Sequence, residues 1–202
     1  METSVLLFDN FETLDVFGPV EILGRLPEHF SIKFYSLNGG PVKNTHGVIL
    51  DTRSISEIED GTDLFIIPGG WGTRKEVDNE LLIAMIRRIS IKSTYVLTVC
   101  TGSALLARTG LLDNRQATSN KRALDWVMEN GKDVKWVKKA RWTADGKFYT
   151  SSGVSAGMDM CLGFLADIYD YDLARRMANE IEYRWEEDKE HDLFYDLQQT
   201  AN

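Results

Sequence analysis

Thr94-Tyr95-Val96-Leu97-Thr98-Val99-Cys100-Thr101-Gly102-Ser103-Ala104-Leu105-Leu106-Ala107 is the stretch that decides the fold class. β-Branched and apolar residues crowd Thr94 to Val99, as in a strand, and the small residues and leucines that follow read as a helix. A strand that runs straight into a helix is half of an α/β unit. The junction falls on Cys100. A thiol there stands at the carboxyl edge of a sheet, near the positive end of a helix dipole and near N–H groups without intrahelical partners, and both effects favour thiolate. The competing reading of Cys100 is a small buried hydrophobe. Gly102 and Ser103 supply the small residues of a tight turn, and Thr101 can set a backbone donor beside the sulfur. The G-x-S-x-G signature is absent, so the expectation is elbow geometry, with an unusual backbone conformation at Cys100.

Outward from this junction the alternation continues. Val5 to Phe8, Ser31 to Ser36 and Leu64 to Ile67 are strand-like, whereas Glu80 to Ile89 and Thr101 to Thr109 are helix-like. The pattern predicts a three-layer α/β/α sandwich with a mainly parallel sheet. Between Val134 and Thr150, strand formers flank Asp145-Gly146, a hairpin signal. Gly153 to Ile168 reads as an apolar helix. Asp172 to about Glu187 reads as a long amphipathic one, with Ala174, Met177, Ala178, Ile181 and Trp185 on one face and the acidic run Glu186-Glu187-Asp188-Lys189-Glu190 after it. No repeat or linker interrupts the chain, which predicts a single domain over residues 1–202.

Composition narrows the function classes. With 202 residues, 43% of them hydrophobic, the chain can bury a substantial core. A net charge of −8 argues against nucleic acid or an anionic membrane as partner. The amino terminus lacks a basic region, its apolar run is too short for a signal peptide, and no stretch approaches membrane-spanning length, so a cytoplasmic protein is expected. Cys100 and Cys161 give no disulfide framework and no Cys-x-x-Cys pair, and the histidines are scattered, so no structural metal site is expected.

Three other stretches bear on the carboxyl edge of the sheet. Pro68-Gly69-Gly70-Trp71-Gly72 follows the strand Leu64 to Ile67, and its glycines let backbone approach a ligand; a plain structural turn is the alternative, and the Gly-Lys-Ser/Thr ending of a phosphate loop is missing. Asp15 lies between Leu14 and Val16 after the first strand. An acid in such surroundings has a raised pKa and can exchange a proton with a nearby thiol, the alternative being a helix cap before Gly18-Pro19. Leu111 to Arg122 reads as a turn, a short strand and a helix start.

Together these stretches, with Ala117-Thr118-Ser119 and Ser151-Ser152-Gly153-Val154-Ser155-Ala156-Gly157-Met158-Asp159, resemble the ThiJ/PfpI superfamily, the flavodoxin-like relatives of class I glutamine amidotransferases. Leu14-Asp15-Val16-Phe17-Gly18-Pro19 with Cys100-Thr101-Gly102-Ser103 is most similar to the isocyanide hydratase branch. The resemblance implies Cys100 as nucleophile, Asp15 as its acid/base partner, and an oxyanion hole from the backbone N–H groups of Gly70 and Thr101. It implies hydration of an isocyanide to an N-substituted formamide, a small-molecule substrate, no cofactor, and a homodimer. At Asn120 many members carry a histidine, so a Cys-His triad is not expected, and His46 and His191 sit in polar contexts away from Cys100.

Two other functions compete. Glyoxalase-like or deglycase chemistry would add Cys100 to an aldehyde carbon but needs a base for the adjacent C–H. A redox sensor or small-molecule binding protein needs no turnover, and the chain beyond Asp172 does not fit a helix-turn-helix. Phe11, Phe17, Trp71 and Trp126 are aromatic candidates for either core or pocket wall.

Overall fold

Strands and helices alternate as the apolar runs predict. The structure, a computed structural model, describes residues 1–199; residues 200–202 of the expected domain lie outside them. In chain order the elements are β1 (Glu2–Leu6), α1 (Thr13–Gly24), β2 (Ser31–Ser36), β3 (Gly40–Lys43), β4 (Ile49–Ser54), β5 (Leu64–Ile67), α2 (Thr73–Glu76), α3 (Glu80–Lys92), β6 (Tyr95–Thr98), α4 (Gly102–Arg108), β7 (Gln116–Ala117), α5 (Leu124–Glu129), β8 (Lys135–Trp136), β9 (Trp142–Asp145), β10 (Phe148–Ser151), α6 (Ala156–Ile168), α7 (Tyr171–Glu180) and α8 (Leu193–Gln199).

An eight-stranded sheet runs in the order β3-β4-β2-β1-β5-β6-β10-β9. Its central strands are parallel, and β3 and β9 are antiparallel at the two edges. Every residue of β5 is buried, which is why Leu64 to Ile67 reads as an unbroken apolar run instead of alternating. From β1 the chain steps one way to β2, and from β5 it steps the other way to β6. Right-handed crossovers in both therefore put α1 and α3 on opposite faces. Helices α1, α6 and α7 pack together, as do α3, α4 and α5 around α4, giving the flavodoxin-like sandwich. Buried apolar side chains from Val5 to Ala178 form one contiguous cluster. Helix α3 shows how local signals set an element: Leu82, Ile86 and Ile89 are buried at helical spacing, and Asn79 accepts the Leu82 N–H at 3.2 Å as its cap.

Strand order reverses between β1 and β5. The crevice at that switch, outside the carboxyl ends of β1, β5 and β6, receives the loops that carry Asp15, Gly69-Gly70 and Cys100.

The structure departs from the sequence reading in four places. β1 lies earlier than Val5 to Phe8, and α6 begins at Ala156 because residues 153–155 form the turn beside Cys100. The long helix expected to reach Glu187 stops at Glu180, and Glu182 sits at φ +51°. Trp185 leaves the expected helical face and donates its Nε1–H to the Asp159 carbonyl at 3.2 Å. Asp145-Gly146 does join β9 to β10, but Lys135–Trp136 pairs in parallel with Gln116–Ala117 and is no arm of that hairpin. Among the described residues no helix is long and apolar enough to cross a membrane.

Candidate active site

Cys100 occupies the turn between β6 and α4 at φ +56°, a left-handed conformation that residues other than Gly and Asn seldom adopt. Its backbone is pinned on both sides: the N–H donates to Ser152 O at 3.1 Å, and the carbonyl accepts Ser103 Oγ at 3.1 Å and Ser119 Oγ at 2.8 Å. These bonds hold a strained conformation that costs on the order of 1–3 kcal/mol. Gly102 has to be glycine, since a Cβ there would collide with the carbonyl oxygen of Ile67.

Asp15 is the third residue of α1 and is fully buried. The helix cap is its neighbour Glu12, whose side chain accepts the Thr13 N–H at 3.2 Å, so the capping alternative for Asp15 does not hold. Asp15 Oδ2 accepts the Gly69 N–H at 2.9 Å. Oδ1 has no hydrogen bond of ordinary geometry, and the Cys100 thiol is the polar group beside the carboxyl. Gly69 is wedged between the two halves of the site: a Cβ on it would stand 2.6 Å from the nitrogen and Oγ1 of Thr101 and 2.8 Å from Asp15 Oδ2.

Burial raises the Asp15 carboxyl well above the usual carboxylate range, against the pull of the Gly69 N–H and with a push from Glu12. Burial, joined by the Asp15 charge, also pushes the Cys100 thiol up to about 12. The turn alone predicts thiolate. Desolvation overrides it, because a seven-residue helix offers a weak dipole and Cys100 is only 5% exposed. Three donors work in the other direction: the backbone N–H groups of Thr101 and Val154 and the side-chain amide of Asn120. The pair is one coupled unit, and with a proton on Asp15 the repulsion that raises the thiol disappears.

Thr101 therefore meets the sulfur through its N–H. Gly70 does not present a free donor: its N–H is bonded to Thr101 Oγ1 at 3.1 Å, and Thr101 Oγ1 also receives Thr73 Oγ1 at 3.1 Å. Val154 is a donor the sequence did not reveal. It stands at φ +41°, and a β-branched residue in that region leaves no signal in the local pattern. Asn120 caps the helical turn that follows it. Its Oδ1 accepts the N–H groups of Arg122 at 2.9 Å and Ala123 at 3.2 Å, which turns the amide NH₂ toward the sulfur and against Gly153.

The sulfur opens on a cavity of about 310 Å³ lined by Glu12, Gly70, Trp71, Arg74, Asn120 and Arg122, among others. Of the aromatic candidates, Trp71 lines this cavity, Trp126 stacks on Arg74, Phe11 is fully buried core and Phe17 packs against the core. His46 bonds Thr13 Oγ1 at 2.6 Å, and His191 bonds Asp196 at 3.0 Å; neither lines the cavity. Among the described residues no group of three or more His, Cys, Asp or Glu side chains could hold a metal ion.

Residues 1–167 match the DJ-1/PfpI family, and the chain belongs to it. It is similar to an isonitrile hydratase of Pseudomonas putida, 28% identical over 91% of this chain and 78% of that protein. It is also similar to a deglycase of Thermococcus kodakarensis, 25% identical over 75% of this chain and 89% of that one. A ThiJ/PfpI family protein from Pseudomonas syringae shares the fold at TM-score 0.79, with 24% identity over 92% of this chain and 76% of its own.

The geometry separates the two cysteines. Cys161 is fully enclosed in α6, and burial alone raises its thiol. Cys100 can be reached from the cavity, so a small alkylating reagent is expected to modify it at least tenfold faster than Cys161 in the folded chain. Mass spectrometry of the two peptides checks this. Equal rates would show that the sulfur is not presented.

Proposed function

We propose that this chain is a cysteine-dependent hydratase that adds water to an isocyanide to give an N-substituted formamide. The observation that carries the reading is the fully buried Asp15 carboxyl against the Cys100 thiol, with no histidine on the cavity. The similarity to an isonitrile hydratase supports it.

The reactive form has the pair's shared proton on Asp15 and the charge on sulfur, reached from the resting thiol by an uphill transfer that Thr101 N–H, Val154 N–H and the Asn120 amide ease. Sulfur attacks the terminal carbon of R–N≡C, and the Asp15 proton ends on that carbon, giving the thioimidate R–N=CH–S. Water then adds across C=N. Asp15 takes one proton from it and passes a proton to nitrogen, while the hydroxyl joins the carbon. Collapse of R–NH–CH(OH)–S breaks the C–S bond and returns the hydroxyl proton to Asp15, leaving the formamide and the starting pair. Thr101 N–H is placed to meet developing charge, and one well-aimed donor of this kind is worth on the order of 3 kcal/mol. Gly70 can serve only by giving up its bond to Thr101 Oγ1. No step calls on a metal or an organic cofactor. We further propose a cytoplasmic homodimer, which light scattering tests against the 22.9 kDa of one chain.

A panel of an aryl isocyanide, an alkyl isocyanide, methylglyoxal and a peptide amide tests the reaction. Formamide is expected from an isocyanide, with no release from the amide. Turnover of methylglyoxal alone would replace the reading with deglycase-like chemistry, and no turnover with a readily oxidised Cys100 would replace it with a sensor.

A further inference from the structure

The cavity over Cys100 carries charge that the hydration chemistry does not use. Arg74 projects into it from α2, half-buried, with its guanidinium carbon 4.9 Å from the Trp71 ring and 4.3 Å from the Trp126 ring. Cation–π contact with two indoles holds the guanidinium in place and leaves N–H groups free to bond. Its Nη1 makes long contacts, 3.3 Å to Thr73 Oγ1 and 3.5 Å to Gly70 O. Among the described residues no carboxylate pairs with Arg74 or with Arg122, the second arginine on the cavity. Glu12 is the acid on the same cavity, and it is engaged on its own side, bonding the Thr13 N–H and lying 3.9 Å from His46.

A half-buried guanidinium held against two indoles and paired with no carboxylate among the described residues, facing a small cavity in a chain of net charge −8, is a poor structural element and a good anion receptor. Burial lowers the Arg74 pKa, and the charge of Cys100 works against that in the smaller measure.

We propose that the substrate carries a carboxylate, which the fork of Arg74 holds with Arg122 alongside, while the reacting carbon lies against the Cys100 sulfur. The position of that carbon rests on the hydratase reading; the carboxylate subsite rests on Arg74 and its surroundings. The exposed face of Trp71, which leaves that residue 72% accessible, gives the body of the substrate an apolar wall. A carboxylate suits the site because one planar fork matches its two oxygens.

Titration calorimetry with 4-formamidobenzoate and its methyl ester tests the subsite without turnover. The acid is expected to bind at least about tenfold tighter than the ester, and Arg74→Gln to bring the two within about twofold. Arg122→Gln is expected to reduce the preference by a smaller factor. Equal binding of acid and ester by the unaltered chain would overturn the proposal, and so would a preference that survives in Arg74→Gln. Assaying 4-isocyanobenzoate and its methyl ester alongside keeps the two readings apart. Arg74-dependent binding of the acid without hydration of either isocyanide leaves the subsite standing and removes the hydratase. Equal hydration of both isocyanides with equal binding of acid and ester does the reverse.

Discussion

Cys100→Ala is expected to abolish formamide formation, and Asp15→Asn to lower it by about 10²- to 10⁴-fold while leaving the fold at least as stable as the parent at pH 7. The first loss removes the atom that bonds the substrate carbon. The second removes the proton carrier without disturbing the shape of the site: asparagine can still accept the Gly69 N–H with its carbonyl oxygen and turn its NH₂ toward the sulfur. The stability expectation follows from burial. Asp15 is raised well above 3.8 in the folded chain, so between the unfolded and folded values the native state holds a proton that the unfolded state has released. Stability contributed by the protonated acid is thus complete below the unfolded value and declines as pH rises through the folded one. Asparagine carries no such decline. Urea midpoints for both proteins at pH 5 and pH 7 check this, and a parent chain that gains on Asp15→Asn between pH 5 and pH 7 would contradict the assignment. Formamide production by Cys100→Ala at the parent rate would sink the mechanism.

The largest stability effect is expected at Asp159 in α6. Its Oδ2 accepts Arg141 Nε at 2.9 Å and Nη2 at 2.7 Å, and its Oδ1 accepts Tyr183 Oη at 2.9 Å and Glu186 N at 3.0 Å. The Arg141 side chain is 9% exposed. Its other anionic partner is Asp192, at a longer 3.4 Å. Removing the carboxylate strands a buried cation and frees the chain after α7, so Asp159→Ala is expected to cost about 3–5 kcal/mol in denaturant unfolding. A loss below about 1 kcal/mol would mean that Asp192 suffices for Arg141.

What the sequence reveals and what it hides divide along the range of the interactions involved. β5, β6 and the Cys100 turn are legible because strand burial leaves an apolar run and a tight turn leaves small residues. The limit of α7 is not, because Ile181 and Trp185 continue the helical spacing while the chain is pulled out of it by bonds from Tyr183 and Trp185 to Asp159, far away in sequence. The state of the Cys100 thiol is illegible for the same reason. Dipole and donors are local to the turn, whereas desolvation comes from the whole fold. Val154 and Arg74 line the site from segments whose roles depend on tertiary neighbours, a left-handed backbone in one case and contact with two indoles in the other.

The loop after β5 also limits how this site can diversify. A Cβ at Gly69 meets Thr101 and Asp15, at Gly70 it stands 2.5 Å from Asn10 O and Glu12 N, and at Gly72 it collides with Asp9 O. Those positions are closed to every other amino acid unless the surrounding loops move with them. Trp71 and Arg74 face the cavity from the same segment and already carry side chains there. Selection for a new substrate would therefore be channelled away from the three glycines and into residues 71 and 74, and a saturation library at 69, 70 and 72 should return almost no active variants.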